Sequence, residues 1–533
     1  MESVASLGFQ PRVYSSLMQH LLQSDKTLIP FHNGLVSVSS AIQFAEKRKA
    51  SFPKENRKIL VEAIQNQYNH LCQNEKVEIN LAQLKKTNTV TVTTGHQLNI
   101  FTGPLFFWYK ILDVINTAER LQKADKTHQY VPVFWMASED HDFEEINHFF
   151  LGEQKVRWET KAGGPVGQIP TNNLNELHKQ LEPFWNKTQS GKELLALFSD
   201  CYLNESNLAN ATRRLVHQLF GKYGLIVVDG NDPALKKLFV PTLLKEVKAN
   251  ITSKSVLQTN NALAKAIPNY NPQVNPREIN LFYLGNHKRL RIVKNGQEYT
   301  TTGGAQVWSL KALETEIETH PERFSPNALM RPLFQECVLP NIAYIGGGGE
   351  LAYWLQLKTT FEAFEIAYPL LQHRSSVLLI SEKQFKKCIK LNLPLQDLFL
   401  PKATFINKRV RQISDIDIDF TSKKTALIDH FEELKDLAKK TDASFLGAVN
   451  AQEKKQLKGL ENLEKRLLKA QRIKLQDQVI RLVDIRNALF PNGKLQERTA
   501  HFSAVLSDKP LDVFTNELKH VLSDATGLQI LKY

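Results

Sequence analysis

Residues 131–148, VPVFWMASEDHDFEEINH, decide the fold, because an apolar run of valine and aromatic residues ends abruptly in charged side chains. A short continuous apolar run of this kind predicts a strand buried in a parallel sheet. In α/β proteins, ligands bind beyond the carboxyl ends of such strands. We therefore predict a functional site at the end of this strand, formed by Ser138, Glu139, Asp140, His141 and Asp142.

The sequence around this segment predicts a βαβ unit. Residues 89–94, TVTVTT, are a β-branched run typical of a strand. After a loop, Gly103-Pro104 opens an apolar segment, and proline suits the first turn of a helix. Strand, glycine loop, helix and second strand pair in parallel. Short apolar runs at 225–229 and 341–345 predict further strands, so the fold class is α/β.

Changes of composition along the chain predict its organisation. Apolar residues at helical spacing, interspersed with Glu, Lys and Arg, predict a coiled coil or a long helical hairpin late in the chain. The predicted order is N-terminal helices and the first half of the core (1–150), a mostly helical insertion (151–222), a core strand and helix (223–252), a second insertion with antiparallel strands (253–328), the second half of the core (329–380), a helical coiled-coil domain (381–492) and a C-terminal segment of unknown packing (493–533).

Composition limits the class of protein. The chain has 533 residues, 42% of them hydrophobic, which is enough for a sizeable core. No run of about 18 apolar residues predicts a membrane span, and no secretory signal opens the chain. Four cysteines without a CxxC pair indicate a reducing cytoplasm. The net charge of +13 suits nucleic acid or anionic small substrates. In residues 421–490 the charges are of mixed sign, which favours a solvated helix face over a nucleic-acid-binding surface.

Three polar groups follow predicted strands and could carry chemistry. The first is the turn Thr94-Gly95-His96-Gln97, with Asn99 close behind. Glycine allows a ligand to approach the backbone, and the side chains of His96 and Gln97 could bind a phosphate or a carboxylate. The alternative is a tight turn whose histidine bonds to the backbone.

The second group is the cluster from Ser138 to Asp142. Histidine beside carboxylates suits general acid–base chemistry or the binding of a substrate amine. A structural alternative is a capping box, in which Asp142 and Glu145 stabilise the start of a helix. That alternative does not account for Glu139, Asp140 and His141.

The third group is a run of four glycines that begins at Gly346 and Gly347 and ends before Glu350. Glycines between a strand and a helix form a floor without side chains, and the helix N-terminus faces the bound ligand. The run matches neither a P-loop nor GxGxxG, and the acidic Glu350 would attract an amine.

Taken in order and spacing, five segments of the chain resemble the bacillithiol-biosynthesis cysteine-adding enzymes, a family of cysteine ligases. The segments are TTGHQ-x₅-GPL, VFW-x₂-SEDHDFEEIN, ALMRPLFQE, AYIGGGGELAYWLQLK and LFPNGKLQER. The resemblance spans nearly the whole chain. It implies a Rossmann-type, nucleotidyltransferase-like core with two connecting-peptide insertions. It also implies a C-terminal α-helical coiled coil that makes a homodimer.

The resemblance also implies an activity, which is the addition of L-cysteine to the amine of glucosaminyl malate to give bacillithiol. By analogy with cysteinyl-tRNA synthetase, ATP would activate cysteine as an adenylate. His96 would then stabilise an anion, and Asp140 or His141 would take a proton from the attacking amine. Glu350 would hold an amino group, and Arg331 the malate carboxylates.

Two features depart from that pattern. The chain has neither a KMSKS-like lysine loop after the glycines nor an obvious Cys/His set for zinc, so we predict no metal and leave the cysteine donor open. Two other functions remain open. A different amine ligase or nucleotidyltransferase would keep the strand-end groups but refuse glucosaminyl malate, whereas a non-catalytic scaffold would depend on the coiled coil alone.

Overall fold

The computed structural model describes residues 1–8, 10, 13–285, 287–506, 508–523 and 527–533. The chain divides into two compact units. One comprises residues 1–379 together with 495–533, and the other comprises residues 380–494. The C-terminal segment, whose packing the sequence left open, therefore folds with the N-terminal part of the chain.

The strands form four sheets. In chain order they are Glu2–Ser6, Thr89–His96, Gln129–Met136, His148–Leu151, Gln154–Arg157, Ile226–Asp229, Leu281–Gly285, Lys288–Asn295, Glu298–Thr301, Val307–Ser309, Phe324–Pro326, Asn341–Gly346, Leu370–His373, Ser376–Ile380 and Leu528–Lys532.

The core is a five-stranded parallel sheet, which confirms the predicted α/β class. Its order is Leu370–His373, Asn341–Gly346, Thr89–His96, Gln129–Met136 and Ile226–Asp229. The strand Thr89–His96 is central and buried on both faces, so its threonine side chains need internal partners. The hydroxyls of Thr91 and Thr93 donate to Asn341 Oδ1 at 3.2 and 2.8 Å.

The structure corrects three details of the sequence prediction. Pro104 precedes the helix Phe106–Ala124 instead of lying in its first turn. The helix expected after the glycine run is split into Gly348–Leu355 and Lys358–Ala363. The N-terminal part is not only helical, because Glu2–Ser6 pairs antiparallel with Leu528–Lys532.

The α-helices of the first unit flank the sheets. They are Ser16–Leu22, Val38–Ser51, Lys54–Tyr68, Glu75–Leu84, Phe106–Ala124, Phe143–Ile146, Leu174–Trp185, Gln189–Phe198, Leu208–Phe220, Pro233–Lys237, Val240–Ala249, Ile251–Ala266, Leu310–Thr319, Arg331–Val338, Gly348–Leu355, Lys358–Ala363, Ser503–Leu506 and Leu511–Leu522.

The two segments predicted as insertions differ in secondary structure. The first contains three of these helices after the hairpin of His148–Leu151 with Gln154–Arg157. The second contains a five-stranded antiparallel sheet around Tyr283, whose ring packs against Trp308 and Phe324. This sheet therefore has an aromatic core of its own.

The second unit consists of helices, as predicted. The helices Thr421–Ala438 and Ala443–Lys474 pack together through Phe431, Ala438 and Val449, so the long helix folds back on its own chain. The other helices of this unit are Glu382–Lys390, Lys402–Ile413 and Gln476–Leu489. Within the described part of the chain, no helix combines the length and the apolar character needed to cross a membrane.

Two glycines allow a stability test with opposite expected signs. A Cβ at Gly230 would lie 2.3 Å from the buried Trp135 ring, whereas a Cβ at Gly459, inside the helix Ala443–Lys474, meets nothing within 4 Å. We expect Gly230→Ala to destabilise the protein by about 1–3 kcal/mol through overpacking. Gly459→Ala should stabilise its helix by about 1 kcal/mol. Urea unfolding followed by circular dichroism measures both; a stable G230A variant would contradict the packing.

Candidate functional site

The three predicted polar groups meet at one edge of the core sheet. In the parallel register, His96 lies beside Met136 and Met136 beside Asp229, so these strands end at the same level. The glycine run follows the next strand, which ends at Gly346. A cavity of about 870 Å³ opens there. This is the edge at which α/β proteins bind their ligands.

Most of the predicted site residues line this cavity. They are Gly95, His96, Gln97, Ser138, Glu139, Asp140, His141, Arg331, Gly347 and Glu350. Residues far apart in sequence are therefore brought together around one cavity.

Four predicted residues lie behind the cavity wall or outside it. The hydroxyl of Thr94 donates to the Ile345 carbonyl at 2.7 Å, and Gly346 is a buried strand residue. The amide of Asn99 donates to the Glu145 carbonyl. Asp142 is exposed and makes no capping hydrogen bond to the helix Phe143–Ile146, so the capping-box alternative is wrong.

His96 is a neutral hydrogen-bonding group on the cavity wall. Its ring packs against Phe106 and Phe107, with centroid distances of 5.1 and 5.3 Å. Burial, and then the positive charges of Lys110 and Arg374, hold its pKa well below the usual range of histidine. Its Nε2 is buried and has no hydrogen-bond partner among the described residues. A buried polar atom on a cavity wall is suited to a ligand, because its desolvation is otherwise uncompensated.

Lys110 is a buried cation that the sequence analysis missed. It belongs to the helix Phe106–Ala124 and its side chain is 1% exposed. Its ammonium donates to the Gly95 carbonyl and to both oxygens of Glu350, at 2.7 and 2.9 Å. Burial lowers the pKa of Lys110, and Glu350 opposes that effect. Glu350 Oε2 also accepts from the Gly347 N–H at 3.1 Å, so one ion pair fixes the glycine run against the turn at Gly95.

Asp140 is held as an anion at the mouth of the cavity. The Gln97 amide donates to Asp140 Oδ2 at 2.8 Å, and the His141 N–H donates to Oδ1 at 2.7 Å. Burial raises the pKa of Asp140, but these hydrogen bonds and the charge of Arg289 outweigh it, so the pKa is lower than usual. His141 is more exposed, and Arg289 Nη1 donates to its Nδ1 at 3.0 Å.

The side chains of the first two residues of the cluster are bonded to other side chains of the protein. Ser138 donates to Asp229 at the end of the neighbouring strand. Glu139 pairs with the buried Lys236 at 2.8 Å. Both side chains therefore fix the loop in place, while Asp140 and His141 lie at the mouth of the cavity.

Two arginines lie deep in the cavity. Arg331 donates to Gln335 Oε1 through Nη1, while its Nη2 is buried without a partner among the described residues. A Cβ at Gly95 would lie 3.2 Å from Arg331 Nη1, so the guanidinium packs closely against this glycine. Arg374 donates to Glu497 Oε1 at 2.7 Å, and both side chains are at most 4% exposed. Glu497 belongs to the C-terminal segment, which thus helps to build the site.

The cavity lining is predominantly cationic. Its anions are Glu139, Asp140 and Glu350, and its cations are Lys110, Arg277, Arg289, Arg291, Arg331, Arg374 and Arg498. The sequence offered a signal for three of the missed cations. Lys110 interrupts the apolar run FFWYKIL, and Arg289 and Arg291 share one strand face in KRLRIV. In the described part of the chain, no group of three His, Cys, Asp or Glu residues could hold a metal ion.

The burial of His96 leads to a pH prediction. Because burial and nearby cations disfavour the imidazolium, we expect the His96 ring to stay neutral from pH 8 down to 5.5. NMR of histidine-labelled protein should show ring signals that do not shift over this range and that disappear in His96→Gln. A midpoint near 6.5 for those signals would contradict the burial.

Comparisons with known proteins agree with this architecture. The family model "Bacillithiol biosynthesis BshC, N-terminal Rossmann-like domain" matches residues 3–375, and the model of the BshC C-terminal coiled-coil domain matches residues 377–533. These matches confirm the predicted Rossmann-like core and coiled coil.

Relatives named "Putative cysteine ligase BshC" match over most of their length. The relative from Christiangramia forsetii is 44% identical, over 92% of this chain and 91% of its own. That from Flavobacterium johnsoniae is 43% identical, over 93% of each chain. That from Cytophaga hutchinsonii is 36% identical, over 96% of this chain and 95% of its own. The chain therefore belongs to the BshC family of bacillithiol biosynthesis.

Proposed function

We propose that this BshC-family ligase joins the carboxyl group of L-cysteine to the amine of glucosaminyl malate, forming the amide bond of bacillithiol. The observation that carries the proposal is the mixture of charges in the cavity. Three carboxylates, those of Glu139, Asp140 and Glu350, lie among seven cations. Glucosaminyl malate carries one amine and two carboxylates, so it matches both kinds of group.

Asp140 is the group we assign to the amine. Its lowered pKa keeps it anionic, so it attracts an ammonium group. An ammonium is not a nucleophile, and its proton must leave before nitrogen attacks the activated carboxyl carbon. His141 is less suited to take that proton, because its Nδ1 already accepts from Arg289. Glu350 is tied to Lys110 and therefore supports the glycine run.

ATP is the activating cosubstrate that we propose. A carboxylate does not react with an amine until its oxygen is made a leaving group, and ATP supplies that activation. The residues fit a polyphosphate, because the glycine run lines the cavity without side chains and Arg331 offers an unpartnered buried Nη2. His96 Nε2 lies on the same cavity wall and could bind an anionic oxygen. No metal is part of the proposal, and the reduced cysteine thiols suit the cytoplasm.

Omission of single components tests the activity. Purified protein is incubated with glucosaminyl malate, cysteine and ATP, each left out in turn, and thiol-labelled products are read by mass spectrometry. We expect bacillithiol only in the complete mixture. Product without ATP would refute the activation step. No product from intact substrates would favour another amine ligase or nucleotidyltransferase on this fold.

Variants at the cavity mouth separate Asp140 from its neighbours. We expect Asp140→Asn to reduce turnover by roughly 100-fold, in the range of a lost acid–base group, and His141→Gln by less than about 10-fold. Glu144→Gln is the matched control, because Glu144 is an exposed carboxylate nearby that pairs with Arg157. Circular dichroism checks folding. Equal activity of D140N and E144Q would remove Asp140 from the mechanism.

A homodimer through the coiled coil is a further part of the proposal. The helices Thr421–Ala438 and Ala443–Lys474 expose large apolar side chains, including Leu437 at 55% and Leu463 at 53%. Exposed large apolar side chains on these helices would be covered in a coiled-coil dimer. Sedimentation velocity should show a dimer that Leu437→Lys with Leu463→Lys weakens, whereas Lys439→Gln should leave it intact. A monomeric native protein would exclude the dimer.

A further inference from the structure

The second insertion presents one face of its antiparallel sheet to the cavity. Phe282 lies directly opposite Arg291 in the register, and Leu284 lies opposite Arg289. Side chains two residues apart on a strand share a face, so Arg289 and Arg291 point the same way. Phe282, Arg289 and Arg291 all line the cavity. The insertion thus forms a cationic wall over the edge of the core sheet.

Arg289 is fully used in holding this wall in place. Its Nη2 donates to the Pro326 carbonyl at 2.8 Å and its Nε to Ser325 Oγ at 3.1 Å. Its Nη1 donates to His141 Nδ1 and lies 3.8 Å from Asp140 Oδ1. Its guanidinium also stacks on Phe282 at 4.0 Å. With every donor group engaged, Arg289 connects the insertion to the core and has little capacity to bind a substrate.

Two other arginines of the second insertion are not held by such bonds. The guanidinium groups of Arg277 and Arg291 make no ion pair or hydrogen bond with the residues the structure describes. The backbone of Arg277 is nevertheless fixed, because Asn280 accepts from its N–H at 3.1 Å and donates to its carbonyl at 2.8 Å. Both side chains line the cavity. Fixed backbones with free guanidinium groups are suited to recognising anions.

We propose that Arg277 and Arg291 bind the two carboxylates of the malate group and thereby select an acceptor with a dicarboxylate aglycone. The inference rests on the proposed function. A guanidinium binds a carboxylate through two parallel hydrogen bonds, so two carboxylates require two free guanidinium groups. Arg331, which the resemblance assigned to malate, lies deep against Gly95 and is better placed for the activated end of the reaction.

Arg498 is the other lining cation without a partner among the described residues. It belongs to the C-terminal segment, next to Glu497, and not to the insertion wall. A single guanidinium there could not bind both carboxylates in the paired geometry. The insertion wall is the part of the cavity lining that supplies two unpaired guanidinium groups.

Two acceptors with the same amine test the proposal. Glucosaminyl malate is compared with methyl glucosaminide, which lacks the carboxylates. For Arg277→Gln and Arg291→Gln we expect KM for glucosaminyl malate to rise roughly ten-fold or more, the effect of one lost charge-assisted hydrogen bond, with kcat little changed. KM for methyl glucosaminide should stay the same. Lys288→Gln, which removes an exposed charge from the same strand outside the cavity, should change neither.

Calorimetric titration with glucosaminyl malate, without cysteine or ATP, tests the role of Arg277 and Arg291 separately from the proposed ligase activity. Weaker binding in R277Q and R291Q, with K288Q unchanged, supports the assignment even if the ligation fails. If all three variants still bind glucosaminyl malate tightly, the role assigned to Arg277 and Arg291 is wrong, but glucosaminyl malate remains the proposed acceptor. A native protein that does not bind glucosaminyl malate would overturn both. Equal losses with both acceptors would show that the arginines act on the fold, which also overturns the assignment.

Discussion

The site depends on one buried charge, the ammonium of Lys110. Transfer of an ammonium into a protein interior costs several kcal/mol unless it is paired and hydrogen-bonded. Lys110 meets this requirement through the Gly95 carbonyl and the Glu350 carboxylate. These partners come from the first strand-end turn and from the glycine run, which are distant in sequence. The need to satisfy one cation therefore fixes how two of the three strand-end groups face each other.

The need to pair a buried charge also divides the cations around the cavity into two sets. One set is paired with carboxylates of the chain, and the other is free to bind a ligand. Lys110, Lys236, Arg289 and Arg374 each meet a carboxylate of the chain, so their positions are set by the fold. Arg277 and Arg291 have no such partner in the described structure. A ligand competes poorly for a cation that is already paired, because it must first displace the internal carboxylate. Net charge alone would not have distinguished these two sets of residues.

Much of the fold follows from local patterns in the sequence. The run TVTVTT and the apolar segment before Ser138 are strands because β-branched and aromatic residues fit a buried parallel sheet. Their polar ends then meet at one edge by topology alone.

The hydrogen-bond and ion-pair partners of these polar groups were not predictable in this way. The pairing of Lys110 with Glu350 and of Arg374 with Glu497 joins segments that only the tertiary fold brings together. The sequence also could not show that the long helix packs against its own chain, because a mixed heptad pattern suits a partner helix within the chain or in another chain.

The return of the C-terminal segment to the core has a consequence for biosynthesis of the protein. Gln496 exchanges two hydrogen bonds with the backbone of Leu379, and Glu497 neutralises Arg374. The ribosome makes these residues only after the whole coiled coil, whereas the core strands emerge much earlier. A nascent or prematurely terminated chain thus lacks the carboxylate that bonds to Arg374 in the finished site. Completion of the site is postponed until residues 496 and 497 have been made, so a chain that stops within the helical unit would be unlike the enzyme in its chemistry as well as in its length.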